Sequence, residues 1–151
     1  MNRSPYEEFP HIKTSEVTLR KIVETDLDRL FEIYSNENLF QHSPESIVGV
    51  AEMFDYHSDV NMITIGYRLH EQFWGQGIAT ITVNAMTDYL FNRVGVNRIQ
   101  AFVLPENIKS QNVLQRNKFT QEGIVREGHI WKGKGVVDLV MYSLLKSDTT
   151  K

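Results

Sequence analysis

The chain has 151 residues, of which 41% are hydrophobic and 23% charged, a size and balance that fit one globular domain with a sizeable core. Its net charge of −3 gives no general electrostatic reason to bind nucleic acid. It has no cysteine, which excludes disulfides, thiolate metal sites and cysteine nucleophiles and is compatible with a reducing compartment.

Residues 1–15 carry Pro5 and Pro10 and little periodicity, so a loose tail is expected there. The segment has no apolar run. Neither a signal peptide nor a membrane span is expected, and the cytoplasm is the default location. Residues 17–20 read as a short strand that opens a domain spanning 16–146. Thr25 or Asp26 is placed to cap a helix whose apolar face is Leu27, Leu30, Phe31 and Tyr34. Residues 36–46 are polar, with Pro44 as a breaker. Residues 47–53 and 61–69 read as two strands of a hairpin, with 55–59 as the turn.

The segment Gln72-Phe73-Trp74-Gly75-Gln76-Gly77 follows directly. After it, Ile78, Ile81, Ala85 and Tyr89 mark one face of a long helix, which Gly95 ends. Residues 98–104 read as a strand with apolar residues on both faces, and therefore as a central one. Asn107 is placed to cap a short helix carrying Val113 and Leu114. Residues 119–125 and 138–145 read as the last strands, joined through Gly133-Lys134-Gly135, and 147–151 as a C-terminal tail. There are no repeats or low-complexity tracts. A hairpin, a strand–helix–strand–helix run and a second hairpin predict an α/β (α+β) sandwich around one twisted, mostly antiparallel sheet.

A strand, a turn with two glycines and a helix start make a site for an anion. The first amides of a helix lack internal partners, and the helix dipole adds positive potential. Gly75 and Gly77 permit close approach of a phosphate and φ > 0. A tight connection with no ligand is the competing reading of this turn taken alone. The dinucleotide fingerprint fails, because Gly75-x-Gly77 is followed by Thr80, and the Gly-Lys-Ser/Thr phosphate loop is absent.

The pattern Gln72-x-x-Gly75-x-Gly77, followed by Ile78-Ala79, resembles the pyrophosphate-binding signature of the GNAT acetyltransferase superfamily. The resemblance runs from about Val17 to Leu145. It takes in Ile65-Gly66-Tyr67-Arg68-Leu69, similar to the family's fourth strand, and Asn97-Arg98-Ile99-Gln100-Ala101, similar to its fifth. Pro105-Glu106-Asn107-x-x-Ser110 and Phe119-x-x-Glu122-Gly123 stand at family spacing. Tyr142-Ser143-Leu144-Leu145 resembles the closing strand of the branch that acetylates ribosomal-protein N-termini, the RimJ/RimL-like alanine N-acetyltransferases.

The resemblance implies a single domain of that fold and transfer of acetyl from acetyl-CoA to a primary amine by direct attack. The acceptor is a protein N-terminal α-amine or a small amine. The fourth and fifth strands should part, with the pantetheine arm between them against Tyr67 and Leu69. The amides of Gln72, Phe73, Trp74, Gly75, Gln76, Gly77, Ile78 and Ala79 should cradle the pyrophosphate, with the Thr80 hydroxyl and the Asn107 and Ser110 side chains also contacting the cofactor. Asn107 serves equally as a plain helix cap.

The chemistry needs a base for the amine proton, a group to polarise the carbonyl and a donor for the departing thiolate. Many relatives place a donor tyrosine seven residues after the helix asparagine; here that residue is Leu114. The ribosomal-protein branch implies Ser110 instead, against a purely local hydrogen-bonding role. The family's fourth-strand glutamate is replaced by Thr64. A later carboxylate serves as base in some of the branch, and alignment from Ser110 puts His129 there, with Glu127 and Glu52 as alternatives and water as a further carrier. Trp131 and Phe102 are candidates for an acceptor wall, or for packing. No metal site is expected. Relatives are often dimeric, which extends the expectation to a homodimer; neither nucleic acid nor membrane is expected as a partner.

One departure stands out. Relatives have a second helix and a second strand before the hairpin, whereas here Ser43-Pro44-Glu45-Ser46 runs almost directly into Ile47. Either the chain has lost these elements near 43–48 or the sequence omits a segment there. With the usual donor and base positions vacant, a non-catalytic acyl-CoA sensor is the rival function.

Overall fold

The computed structural model describes residues 4–8, 10–35 and 47–150. Ile12–Lys13 (β1) and Thr18–Leu19 (β2) form a two-stranded antiparallel ribbon, so pairing begins inside the segment expected as a tail. A 3-10 turn, Glu24–Asp26, leads into α1 (Leu27–Ser35). The Asp26 carboxylate accepts from the Val23 amide (2.9 Å) and takes both guanidinium arms of Arg20 (2.8 Å each). Neither Thr25 nor Asp26 is the expected N-cap: Val23 holds that place, and Asp26, three residues on, reaches back to its amide.

A five-stranded sheet follows in the order β3-β4-β5-β7-β6. Its strands are β3 (Gly49–His57), β4 (Met62–Leu69), β5 (Arg98–Val103), β6 (Thr120–Trp131) and β7 (Gly135–Leu145). Only β4 and β5 run parallel. The crossover between them carries α2 (Ile78–Tyr89), and α3 (Ile108–Arg116) connects β5 to β6. This is the expected mixed, mostly antiparallel sheet flanked by helices. Among the described residues, no helix or strand stands between α1 and β3. The proposed junction near 43–48 falls mostly in 36–46, outside the described residues.

The core lies between the sheet and α2, built from Ile63, Ile65, Val83, Met86, Leu90, Ile99, Ala101, Tyr142 and Leu144, all buried. Thr82, Val83, Ala85, Met86 and Thr87 are the buried residues of α2, a wider stripe than the expected one. Its last turn is a π turn, Leu90–Val94, closed by Gly95 at φ 84°, whose amide donates to the Leu90 carbonyl (2.9 Å).

Several expectations change. The apolar face of α1 is turned outward: Leu27, Phe31 and Tyr34 are exposed, and Arg29, Glu32 and Ile33 are buried. The first hairpin turns later than expected, because β3 continues to His57 through a bulge with Asp55 at φ 51°. Central β5 is buried on one face through Ile99, Ala101 and Val103; its other face buries Gln100 and leaves Phe102 37% exposed. The last two strands are longer than expected, since β6 absorbs two bulges, one of them with Glu127 at φ 49°.

Candidate functional site

The glycine turn begins at the foot of β4. The buried His70 accepts from the Gln72 amide at Nδ1 (3.4 Å) and starts a 3-10 turn, Glu71–Phe73. The Phe73 amide donates to the His70 carbonyl (3.0 Å) and the Trp74 amide to that of Glu71 (3.1 Å). Two side chains then brace the turn against its own backbone. Trp74 Nε1 donates to the Leu69 carbonyl (3.1 Å), and Gln76 Nε2 to that of Gln72 (3.0 Å).

Gly75 (φ 74°) and Gly77 (φ 80°) adopt the left-handed conformation, and a Cβ built on either would meet nothing within 4 Å. The backbone here is therefore open to a ligand on the side a side chain would fill. Gly77 is the N-cap of α2 and provides no side-chain cap. The first helical bond is donated by Ile81 to the Gly77 carbonyl (3.1 Å). Among the described residues, the amides of Gly75 through Thr80 make no hydrogen bond. A run of free amides at the positive end of a three-turn helix has the chemistry to accept a phosphate or pyrophosphate.

The strands beside the turn part as expected. The β4–β5 ladder pairs Met62 with Arg98, Ile63 with Ile99 and Thr64 with Gln100, and ends there, although β4 runs on to Leu69 and β5 to Val103. At the last pair, buried Gln100 Nε2 donates to the Thr64 hydroxyl (3.1 Å). Beyond it Tyr67 crosses toward α3 and donates its phenol to the Ser110 carbonyl (3.1 Å); burial pushes the phenol's pKa up. A cavity of about 700 Å³ is lined by Tyr67, Leu69, Phe73, Gln76, Ile78 and Ala79 together with the N-terminal ribbon and β3.

Helix α3 closes the other side. Asn107 caps it by accepting from the Ser110 amide (3.2 Å), so the cap reading of Asn107 holds in this structure. Lys109 Nζ lies 4.7 Å from the Trp74 ring, which brings a cation to the glycine turn. Asn117 Nδ2 donates to the Thr80 carbonyl (3.2 Å) and ties α3 to the first turn of α2. Leu114, where many relatives would have a tyrosine, is fully buried.

The catalytic candidates are spread more widely. Ser110 sits in the first turn of α3, half-buried, at the mouth of the parted strands. Glu127 and His129 are exposed on β6, the far edge of the sheet, and no hydrogen bond or ion pair among the described residues joins either to Ser110 or the glycine turn. The Glu127 amide donates to Asp138 Oδ1 (2.7 Å), and His129 meets Trp131 edge-on with ring centroids 6.0 Å apart. The hairpin that carries them does reach α3: Lys134, in its turn, pairs with Glu106 next to Asn107. Glu52 is exposed on β3, at the opposite edge. The residues that sequence reasoning missed are Arg29, Glu32 and His70, buried beneath the turn. Their spacing carries no motif, and Arg29 and Glu32 look like ordinary polar positions of an amphipathic helix.

Comparison with known proteins agrees with this geometry. Residues 39–120, more than half of the chain, match the model of the acetyltransferase (GNAT) domain. An uncharacterised N-acetyltransferase, p20 of Bacillus licheniformis, is 40% identical over 84 residues, covering 56% of this chain and 47% of that protein. The solved ribosomal-protein-S5-alanine acetyltransferase of Vibrio fischeri superposes with a TM-score of 0.65 at 27% identity, covering 68% of this chain and 56% of that one. Mycobacterium smegmatis RimJ, solved in complex with CoA-disulfide, gives 0.67 at 27%, covering 70% and 51%. The chain spans about half the length of each of these relatives.

Proposed function

The chain belongs to the GNAT acetyltransferase family, and from that premise we propose that it transfers acetyl from acetyl-CoA to a primary amine, with a protein N-terminal α-amine as acceptor. The observation that carries the cofactor half is the run of unpaired amides from Gly75 to Thr80 at the head of α2, open to a ligand and next to the point where β4 and β5 part. The similarity to an enzyme named as a ribosomal-protein-S5-alanine acetyltransferase supports the acceptor half.

Bound there, acetyl-CoA supplies an activated acyl thioester. The amides of Gly75 to Thr80 hold its pyrophosphate, and Lys109 adds a positive charge beside Trp74. The backbone of Tyr67 and Leu69 holds the arm in the gap between the strands. Ser110 is the proton donor to the leaving sulfur. His129, or Glu127 on the same strand, takes the amine proton, with water as the carrier between them and the cleft. The test is release of free thiol from acetyl-CoA with a panel of N-terminal peptides and polyamines. Turnover with peptides and not with polyamines supports the acceptor reading, and the reverse pattern removes it.

A second reading, a CoA-binding domain without turnover, is favoured by two observations. Leu114 is sealed in the core, and Thr64 is buried and held by Gln100, so neither position offers an acid or a base. CoA binding without thiol release from any acceptor selects that reading.

A further inference from the structure

Beneath the glycine turn lies a charged pair that the mechanism above does not use. Arg29 and Glu32 of α1 form an ion pair one helical turn apart, and both are buried, at 8% and 0% exposure. Arg29 also leaves its helix: Nε donates to the Ile47 carbonyl (2.8 Å), just before β3, and its guanidinium lies 5.8 Å from the centroid of the Phe73 ring. Phe73 in turn meets the fully buried His70 edge-on, with centroids 6.5 Å apart. One guanidinium therefore touches α1, the lead into β3 and the glycine turn.

A buried ion pair is a poor device for stability, because the desolvation of two charges offsets their attraction. This one is poorer still, since Arg29 Nη2 is buried with no hydrogen-bond partner among the described residues. A side chain that costs the fold in this way is better explained by what it positions. We propose that Arg29 is a positioning residue for the anion-binding turn. It clamps Phe73 from below, so that the amides from Gly75 onward stand pre-organised before any ligand arrives. The inference rests on the reading of that turn as the CoA phosphate site.

The test uses the double variant Arg29→Met/Glu32→Leu, which removes both charges and keeps apolar volume in their place. Its melting temperature is expected to equal or exceed the parent's. Its affinity for CoA by calorimetry is expected to fall about tenfold, because the turn must now be ordered on binding. Amide hydrogen exchange without ligand should quicken at Phe73 and Trp74 and stay unchanged in α3. Arg29→Lys, which keeps the charge opposite Glu32 but loses the fork, should shift affinity and exchange in the same directions and serves if the double variant does not fold. Parental CoA affinity and parental exchange at Phe73 and Trp74 in a folded variant overturn the proposal. A parent that does not bind CoA refutes the reading of the cradle instead, and the exchange measurement still decides the role of Arg29.

Discussion

At the scale of single residues, the site depends on two glycines that do different work from ordinary turn residues. Gly75 and Gly77 stand at φ 74° and 80° with empty space where a side chain would be. Gly77→Asp adds strain at a left-handed position and sets a carboxylate at the proposed phosphate site, so CoA affinity should fall by at least about tenfold. Calorimetry with CoA checks this, and unchanged affinity removes the assigned cradle. Ser110→Ala should lower kcat and leave the dissociation constant for CoA near the parent's, because the bond between Asn107 and the Ser110 amide does not involve the hydroxyl. An equal loss in binding would assign Ser110 to the cofactor rather than to proton transfer. The free amides from Gly75 onward were legible in the sequence because their geometry is local, whereas those of Gln72, Phe73 and Trp74, expected with them, are bonded within the turn. Glycine spacing at a helix start determines which amides are free, and neighbouring packing hardly changes that. Arg29 was not legible for the opposite reason: its role depends on Ile47 and Phe73, 18 and 44 positions away.

At the scale of elements, the strands were easier to find than the faces of the helices. The β4–β5 ladder stops after three pairs, as expected for strands that part around a ligand, and a short motif already indicated it. Helix α1 went the other way. Leu27, Phe31 and Tyr34 repeat at helical spacing, yet so do Arg29, Glu32 and Ile33, and the latter face is buried because Arg29 and Glu32 neutralise each other there. Hydrophobic periodicity alone does not choose between two faces once one of them carries its own counter-charge. Helix α3 is pinned by Leu114, so Leu114→Ala should cost about 2–5 kcal/mol of stability, read from denaturant melts. Its effect on turnover per folded molecule should be small, which distinguishes a packing residue from the donor that many relatives place there. A lost catalytic rate in a fully folded variant would contradict this assignment.

At the scale of the whole molecule, two partly buried ion pairs among the described residues contribute to the response to acid. The Arg20 guanidinium beside Asp26 holds that carboxyl at about 2, against an ordinary 3.8. Arg98, with the Ser143 hydroxyl donating as well, holds Glu122 at about 2, against 4.5. Both values are depressed in the folded chain, so the stabilisation is complete above the unfolded values and is lost as the pH falls through them toward 2. Melting temperature should hold between pH 5 and 7, as far as these groups determine it, and fall between about 4.5 and 2. Asp26→Asn, with Arg20 partly solvated, should remove about 1–2 kcal/mol at pH 7 and flatten the acid limb. An acid limb unchanged in that variant would sink this account. The overall architecture was legible from the order of elements; the lengths of β3 and β6 were not, because bulges at Asp55 and Glu127 let those strands continue through residues that read as turn or loop.

The most direct measurement is a titration of the isotope-labelled chain with CoA, followed by amide nitrogen–proton spectra. The cradle account predicts that the amides of Gly75, Gln76, Gly77, Ile78, Ala79 and Thr80 shift together along one saturable curve. Those of Met62 and Arg98, at the end of the β4–β5 ladder away from the parting, should hold still. Saturable binding that moves Met62 and Arg98 and leaves Gly75 to Thr80 in place would contradict it.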